Sequence, residues 1–514
     1  MTFNELLKSV QNGEFARLTF DSREVTEGTL FVCKGVHFDV RFLLEAVQKG
    51  ACCAVSETDY SKELQAAAEA GTIAHTVPVA VVKNIRTAMA DLANAFYGEP
   101  WKRLHTVGVT GTKGKSTVVY YIRAILDDYL AARGKKLSGL LSGIDNFDGE
   151  TSEESHLTTP EALLLQKHMA TAVKNGLEYL EMEVSSQALK YDRVRGVHYQ
   201  VGCFLNIGTD HISTVEHRDF ADYYASKLRL FDQTCTAVVN CDDSHAAETL
   251  ARAAVCETVI GFGCKQERHP GCSAYLYGHH VQKTTGGVTF EATWVSGAFE
   301  ETTAIELTMP GLFNVENALA AMACCYALQI PAAYMVSGLK KARVPGRMEP
   351  FRTPAGNVVL VDYAHNQMSF EKLYGSTREE YPQGYILGIY GCPGKKAQAR
   401  RSELAREAAK YGNELFITEE DAGEEDLTSI CREIAVYAQE AGIRCRIEED
   451  REKAIETAIC EAEERTKKTG RQTIVLLTGK GRETRQKRGI EYVPVPSDVA
   501  IVRQVLENLN GKAR

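Results

Sequence analysis

The sequence predicts an α/β protein built on mostly parallel sheets, and three observations predict it. Short apolar runs alternate with helical patterns: Val107–Val109, Tyr179–Val184, Val201–Asn206 and Ala237–Asn240, then Val358–Val361, Tyr385–Tyr390, Leu415–Thr418 and Thr473–Thr478. Such alternation builds parallel strands covered by helices. A Gly-rich turn at 110–116 separates one of these runs from a helical pattern marked by Val118, Ile122, Ile125 and Leu126. Finally, 514 residues with 44% apolar and 25% charged side chains make a soluble globular composition long enough for two to four domains.

Residues 1–100 carry short strand-like pieces, Thr29–Val32, Ala51–Val55 and Val79–Val82, between helical patterns. Gly98, Glu99 and Pro100 then interrupt the chain and mark a boundary. Residues 101–345 hold the Gly-rich turn and the first alternating set. Near their end the pattern changes. Val288, Phe290, Ala292 and Trp294 alternate with polar residues, and Val281 lies across a Thr-Thr-Gly-Gly turn at 284–287. That reads as antiparallel hairpins inserted late in the middle domain. Val344, Pro345 and Gly346 break the chain again, and residues 346–514 resume the alternation as a smaller doubly wound domain. The Lys/Arg/Glu-rich stretch 450–471 reads as a solvated helix face.

Composition excludes some functions. A net charge of −9, from 59 basic and 68 acidic residues, argues against broad nucleic-acid binding. The start, Met1-Thr2-Phe3-Asn4-Glu5, lacks the basic and apolar regions of a signal peptide. No apolar run approaches the ~20 residues needed to span a membrane, so a cytoplasmic protein is expected. The 15 cysteines are scattered without a CxxC, with adjacent pairs at Cys52-Cys53 and Cys324-Cys325. They read as buried small hydrophobes in a reducing compartment.

The Gly-rich turn carries the strongest chemical signal. A strand, a Gly loop and a helix N-terminus make a phosphate cradle, because backbone N–H groups and the helix dipole face the anion. The usual nucleotide-loop spacing asks for Gly at 109, where Val109 stands. The loop that fits is the shorter Thr110-Gly111-Thr112-Lys113-Gly114-Lys115-Ser116. Lys115 would neutralise phosphate charge, and Ser116 would offer a hydroxyl to Mg²⁺.

Further candidates stand where strands end in polar loops, the place where α/β sheets build sites. Glu183 ends an apolar run beside Ser185 and Ser186, where it would reach Mg²⁺; a surface or capping role is the alternative. Asn206-Ile207-Gly208-Thr209-Asp210-His211 follows another run. His211 is a candidate metal ligand with Asp210 to orient it, against a loop that caps the next helix. Lys227, in the helical pattern Asp222–Phe231, says nothing by itself. Asp362 and His365 are placed to touch a nucleotide, and the basic tail Lys395–Arg401 to hold a carboxylate or phosphate. A last Gly turn at Leu477–Glu483 also follows a strand.

In this order the pieces resemble the Mur ligase family, and more closely its members that add the third peptide residue to a UDP-N-acetylmuramoyl dipeptide (the MurE type). The resemblance covers nearly the whole chain. It is carried by Asp21-Ser22-Arg23, Thr110–Ser116, Leu157–Glu161, Glu183–Ala188, Arg193-Val194 and Asn206–His211. Tyr224-x-x-Lys227, Gly311–Asn317, Gly346–Glu349, Asp362–His365 and Gly479–Glu483 continue it. The resemblance implies a three-domain architecture: an N-terminal UDP-substrate domain (1–100), a central P-loop ATPase domain (101–345) and a C-terminal Rossmann-like domain (346–514).

It also implies roles. Gly111, Thr112, Lys113, Gly114, Lys115, Ser116 and Thr117 would hold ATP phosphates. Asn314, Arg347, Asp362 and His365 would contact ATP. Ser116, Glu183 and His211 would carry Mg²⁺, with Lys227 carbamylated into a carboxylate-like group that supports a second metal. Ser22, Thr158, Thr159, Ser185 and Arg193 would contact the UDP-muramoyl peptide. Lys396, Glu420, Asp421, Gly479 and Glu483 would lie near the incoming amino acid.

The implied reaction is amide formation in peptidoglycan precursor synthesis. ATP phosphorylates the terminal carboxylate of UDP-N-acetylmuramoyl-L-alanyl-D-glutamate, and the α-amine of a free amino acid attacks the acyl phosphate. Lys115, Glu183, His211 and Lys227 are the expected catalytic set, in a monomer. Diaminopimelate-adding members show Asp-Asn-Pro-Arg in the last domain, where this chain has Thr418–Asp426 with Gly423 at the arginine's place. Glycine cannot pair with a second carboxylate, whereas Glu420 and Asp421 suit an ammonium. Gln187, Glu216-His217 and Gly391–Lys396 with Arg400-Arg401 lean the same way, towards the L-lysine-adding branch. The alternatives are the same reaction with meso-diaminopimelate or another amino acid, a folylpolyglutamate synthetase-like ligase, and an inactive P-loop binding protein.

Overall fold

The computed structural model describes the chain except residues 36–37, 156, 209–215, 267–268, 285, 396 and 513–514. The chain forms two compact units. One holds residues 1–279, 291–304 and 316–339, the other 280–290, 305–315 and 340–514.

The first unit opens on a four-stranded, wholly parallel sheet in the order Arg17–Thr19, Thr29–Val32, Ala51–Ser56, Val79–Val81. Both faces are covered. Leu30, Val32, Cys53 and Val55 meet the helices Phe3–Gln11 and Ile85–Phe96, while Phe31 and Ala54 meet Val40–Gln48 and Ser61–Glu69. Burial on both sides explains why the strand Thr29–Val32 is apolar without alternation. Cys52, Cys235 and Cys264 depart from expectation because they are exposed. The pairing runs Thr29 to Ala51 and then Leu30 to Cys53, so a bulge skips Cys52 and turns it outward. All 15 cysteines are free, with Cys324 and Cys325 fully buried.

An eleven-stranded sheet follows. At its heart Tyr199–Phe204, His105–Thr110 and Tyr179–Glu183 run side by side and parallel. Their carboxyl ends therefore release Gly111, Val184 and Leu205 at one edge. The late hairpins are not a separate insertion. Their strands Ala274–Thr284, Gly287–Ser296 and Phe299–Leu307 extend the same sheet beyond Thr258–Gly263.

The second unit holds a six-stranded sheet in the order Glu349–Arg352, Val358–Val361, Thr473–Leu477, Tyr385–Tyr390, Glu414–Ile417, Arg444–Ile447. Only the first strand is antiparallel. The helices Gln367–Glu380, Ala399–Tyr411 and Leu427–Glu440 cover one face, and Arg451–Thr469 and Asp498–Lys512 the other. The helix Arg451–Thr469 is solvated on one side only. Ala454, Ile455, Ala458, Ile459 and Ala462 recur at helical spacing and are fully buried against the sheet. No helix among the described residues is long and apolar enough to cross a membrane.

Candidate active site

The Gly-rich loop is tied down by the end of a neighbouring strand. Thr112 N donates to Asn206 O at 3.0 Å and Lys113 N to Asn206 Oδ1 at 2.9 Å; Asn206 Nδ2 returns a bond to Lys113 O at 3.1 Å. Asn206, from the neighbouring strand end, is thus a clamp on the loop. Gly114 caps the helix Lys115–Ala131, so the first N–H groups of that helix are the ones left for an anion. Lys115 Nζ donates back to Gly111 O at 2.9 Å, and the Ser116 and Thr117 side chains are buried at the helix start.

Lys227 reaches the same point from the helix Phe220–Leu228. It is 1% exposed, and its Nζ also donates to Gly111 O at 2.9 Å. Two ammonium groups therefore share one carbonyl oxygen, an arrangement that like-charge repulsion opposes and an anion would relieve. Lys227 lies over the Tyr223 ring, 4.7 Å from its centre, and the Tyr223 hydroxyl is 3.1 Å from Thr112 Oγ1. The tyrosine that serves the loop is Tyr223, one helical turn before Lys227. Tyr224 instead donates to His245 O at 3.2 Å and lies 2.7 Å from Thr249 Oγ1. The i, i+4 spacing to Lys227 was the available signal. His211 and Asp210 lie outside the described residues.

Glu183 closes the other side. It pairs in register with Val109, just before the loop, and is 2% exposed; its Oε1 accepts from Gly143 N at 2.8 Å. Two residues earlier on the same strand face, Glu181 is wholly buried. Burial holds its carboxyl well above the ordinary range, with Ser138 donating to Oε1 at 2.9 Å. Thr159 is fully buried: its hydroxyl donates to Glu183 O and accepts from Ser185 N, both at 2.9 Å. Ser185 caps the helix Ser186–Lys190 by accepting from Ala188 N at 3.2 Å. Thr158 is half-buried beside them.

Arg193 Nε lies 3.0 Å from Glu161 Oε1, and Lys34 Nζ 2.5 Å from Glu161 Oε2. Burial pushes the Glu161 carboxyl up, but Lys34, Arg193 and Arg86 outweigh it and hold it below its usual range. Lys34 brings a cation from the N-terminal sheet to the Thr158–Glu161 loop, and no motif had marked it. Ser22, in that same part of the chain, donates to Glu45 Oε2 at 3.0 Å. Two of the branch markers touch each other: Gln187 Nε2 donates to Glu216 Oε1 at 2.9 Å.

The second unit gathers a separate set. The Asp362 carboxylate accepts from Met348 N and Ala364 N, both at 2.8 Å. Burial raises it above the ordinary carboxylate range although Arg347 opposes this. Arg347 stacks 5.0 Å from the centre of Tyr363, and His365 Nδ1 lies 2.7 Å from Tyr363 O. Tyr363 donates to Glu483 Oε1 at 2.5 Å. Asn314 is buried and donates to Pro310 O at 2.6 Å.

The acidic loop at 418–426 is far from simply solvated. Glu419 pairs with Arg488 at 2.7 Å, Asp421 with Lys480 at 3.0 Å, and Glu425 with Arg401 at 2.8 Å. Lys480 also pairs with Glu483 at 2.6 Å. Glu420 stays buried where these strands end; a Cβ on Gly479 would fall 2.5 Å from its Oε2. Burial raises the Glu420 carboxyl to about 7, against the pull of Arg451 and Lys480. Gly423 contributes backbone only, its N donating to Lys487 O at 3.0 Å. Lys396 lies outside the described residues.

Two family descriptions match this chain, the Mur ligase middle domain over residues 109–325 and the Mur ligase, glutamate ligase domain over residues 346–481. A UDP-N-acetylmuramyl-tripeptide synthetase of Lactobacillus acidophilus is 34% identical, over 96% of this chain and 92% of the relative. This chain belongs to the Mur ligase family. A second relative, a UDP-N-acetylmuramoyl-L-alanyl-D-glutamate–L-lysine ligase of Streptococcus pyogenes serotype M1, is 35% identical, over 96% of this chain and 94% of its own. Among solved structures, a UDP-N-acetylmuramoyl-L-alanyl-D-glutamate–2,6-diaminopimelate ligase shares the fold of this Mur ligase. Its TM-score is 0.63 at 22% identity, covering 96% of this chain and 95% of that one. A folylpolyglutamate synthase of Mycobacterium tuberculosis complexed with ADP has a TM-score of 0.60 at 16% identity, covering 81% and 93%. At those identities the likeness is one of fold. As a Mur ligase the protein is an ATP-dependent, ADP-forming enzyme.

Proposed function

We propose that this Mur ligase adds the third residue, L-lysine, to UDP-N-acetylmuramoyl-L-alanyl-D-glutamate through an acyl phosphate, in the cytoplasm. The observation that carries the reading is the meeting of Lys115 and Lys227 at Gly111 O, beside the strand that ends in Glu183. Lys115 there suits triphosphate charge, Lys227 sits at the same loop to carry a carbamate, and full-length relatives bear names of this reaction. Domains at 1–100, 101–345 and 346–514 follow the same reading.

The chain's part is positioning and charge neutralisation. Lys115 and the first N–H groups of its helix would hold the phosphates, with Asn206 keeping the loop shaped for them. Glu183 keeps carboxylate oxygen for Mg²⁺ beyond its single backbone donor, and Ser116 and His211 would share that ion, which offsets phosphate charge when bound. Lys227 would serve as a carbamate. Its ammonium first gives up a proton, and the free amine then adds to CO₂, forming an N–C bond and releasing a second proton, so the cation becomes an anion. This replaces the crowded ammonium pair at Gly111 O with an ion pair. Ser22, Thr158, Ser185 and Arg193, joined by Lys34, would hold the nucleotide-peptide, with Thr159 shaping the strand end. Arg347, Asp362, His365 and Asn314 would meet ATP. Glu420, Asp421, Gly479, Glu483 and Lys396 would surround the amino acid.

The test is phosphate release with the nucleotide-dipeptide, ATP and single amino acids. L-lysine is expected to stimulate release, and diaminopimelate to do so weakly. Stimulation by diaminopimelate alone removes the lysine assignment; no stimulation by any amino acid removes the ligase reading.

Glu420 adds a pH signature. Its raised carboxyl makes the folded protein hold more protons than the unfolded chain between the ordinary value of 4.5 and about 7. Its contribution to stability therefore falls as pH rises through that window. Only the ionised form attracts an ammonium, so the KM for L-lysine is expected to drop as pH rises through about 7. Glu420→Gln should raise that KM and flatten both the KM and the melting profiles. A KM for L-lysine with the same pH course in Glu420→Gln would remove Glu420 from the pocket.

A further inference from the structure

His217 enters the ligase reading only as a branch marker, with no role at the site, yet it stands where three parts of the site meet. It is fully buried. Its Nε2 lies 2.9 Å from Ser186 Oγ, and its Nδ1 3.5 Å from Asp222 Oδ2. Ser186 is 4% exposed and directly follows Ser185, the cap at the substrate-facing strand end. Asp222 lies in the first turn of the helix that carries Lys227, and Lys190 Nζ binds it at 2.6 Å. The imidazole edge also packs on Tyr223, with ring centres 5.1 Å apart and planes at 66°. Tyr223, itself fully buried, touches Thr112 through its hydroxyl and Lys227 through its face.

We propose that Ser186 and His217 are positioning residues for the phosphate loop and Lys227. The Ser186 hydrogen bond at Nε2, with the Asp222 carboxylate near Nδ1, orients the imidazole plane, and that plane is the seat of Tyr223. Close-packed interiors pass on such constraints because side chains have few alternative packings. Losing the Ser186–His217 bond frees the imidazole to turn. Tyr223 then loses its seat, and Thr112 Oγ1 and Lys227 Nζ shift together. Neither Ser186 nor His217 touches the reacting atoms, so their effect passes through Tyr223. This inference rests on the ligase reading for its kinetic test but not for its binding test.

The experiment is a double-mutant cycle in the full-length protein: Ser186→Ala, His217→Phe and the pair. It is read by kcat and KM in the phosphate-release assay and by calorimetric binding of Mg·ADP. Each single variant is expected to lower kcat about tenfold, the scale of losing a partner that orients a site residue. Mg·ADP binding should weaken several-fold while the KM for the nucleotide-peptide stays within about twofold. The double variant should fall no further than the worse single one, because both remove one link. His217→Gln, whose amide can reach Ser186, should recover most of kcat and of Mg·ADP affinity. Losses that multiply in the double variant, a His217→Gln no better than His217→Phe, or unchanged Mg·ADP affinity throughout overturn the proposal. If the wild-type protein shows no amino-acid-dependent release, the ligase reading fails by itself and the Mg·ADP cycle still decides the role of His217.

Discussion

Lys227→Ala is expected to abolish amino-acid-dependent phosphate release, a loss of about a thousandfold or more, as for removal of a fixed electrostatic group at a reacting centre. The side chain is almost wholly buried, and its Nζ ends 2.9 Å from Gly111 O, the oxygen that Lys115 also reaches. Its removal takes away the contact that joins the Tyr223 face to Gly111 O. Added bicarbonate should not rescue Lys227→Ala, which has no amine to carry a carbamate. Lys227→Arg separates two roles. It keeps a cation but cannot form the carbamate, so it should be as inactive as alanine. Substantial activity in Lys227→Arg would leave Lys227 a simple cation, and near-wild-type activity in Lys227→Ala would remove it from the catalytic set. The wild-type protein incubated with ¹³C-bicarbonate should show a carbamate carbon signal that Lys227→Ala lacks.

Gly114→Ala should cost at least about a hundredfold in kcat/KM for ATP, the scale set by a reacting group displaced by roughly 1 Å. Two causes act together. Gly114 has φ +89, where an L side chain costs about 1–2 kcal/mol. A Cβ built there would also fall 2.5 Å from Asn317 Oδ1, well inside contact distance. The loop or the Asn317 amide must give way, and Gly114 caps the helix whose first N–H groups would face the phosphates. Affinity for Mg·ADP should fall in parallel, whereas the nucleotide-peptide, held by other loops, should bind as before. An ATP KM within about twofold of wild type would show that the loop tolerates the change.

These expectations draw on features that the sequence displayed to different degrees. The parallel strands were legible because a strand buried on both faces must be apolar throughout, as at Val358–Val361, Tyr385–Tyr390 and Thr473–Leu477. The phosphate loop was legible because its glycines and Lys115 are contiguous. Features made by pairing or packing were not. Cys52 turns outward through a bulge, which depends on the register chosen by a neighbouring strand. The hairpins near 271–309 alternate like any half-exposed hairpin, and nothing local says that they lengthen the central sheet. The charge-rich stretch 450–471 hid a buried stripe beneath its Lys, Arg and Glu, because a helix needs few apolar positions to face a core.

What the sequence by itself determined is the chemistry on offer: a phosphate loop, a strand-end acid at Glu183, a lysine at 227 and an acid-rich loop at 418–426, on an α/β frame. Short-range spacing suffices there, since a turn and the helix after it are local. Only the tertiary structure decided which of those groups act on one another. It brought Lys227 to the carbonyl that Lys115 already holds, chose Tyr223 over Tyr224, and placed His217 between Ser186 and Asp222. It also paired Glu419, Asp421 and Glu425 with cations and left Glu420 buried with a raised carboxyl. The physical reason is distance. Lys227 meets Gly111 across 116 residues, and such a contact exists only once the strands between them have paired and the helices have packed.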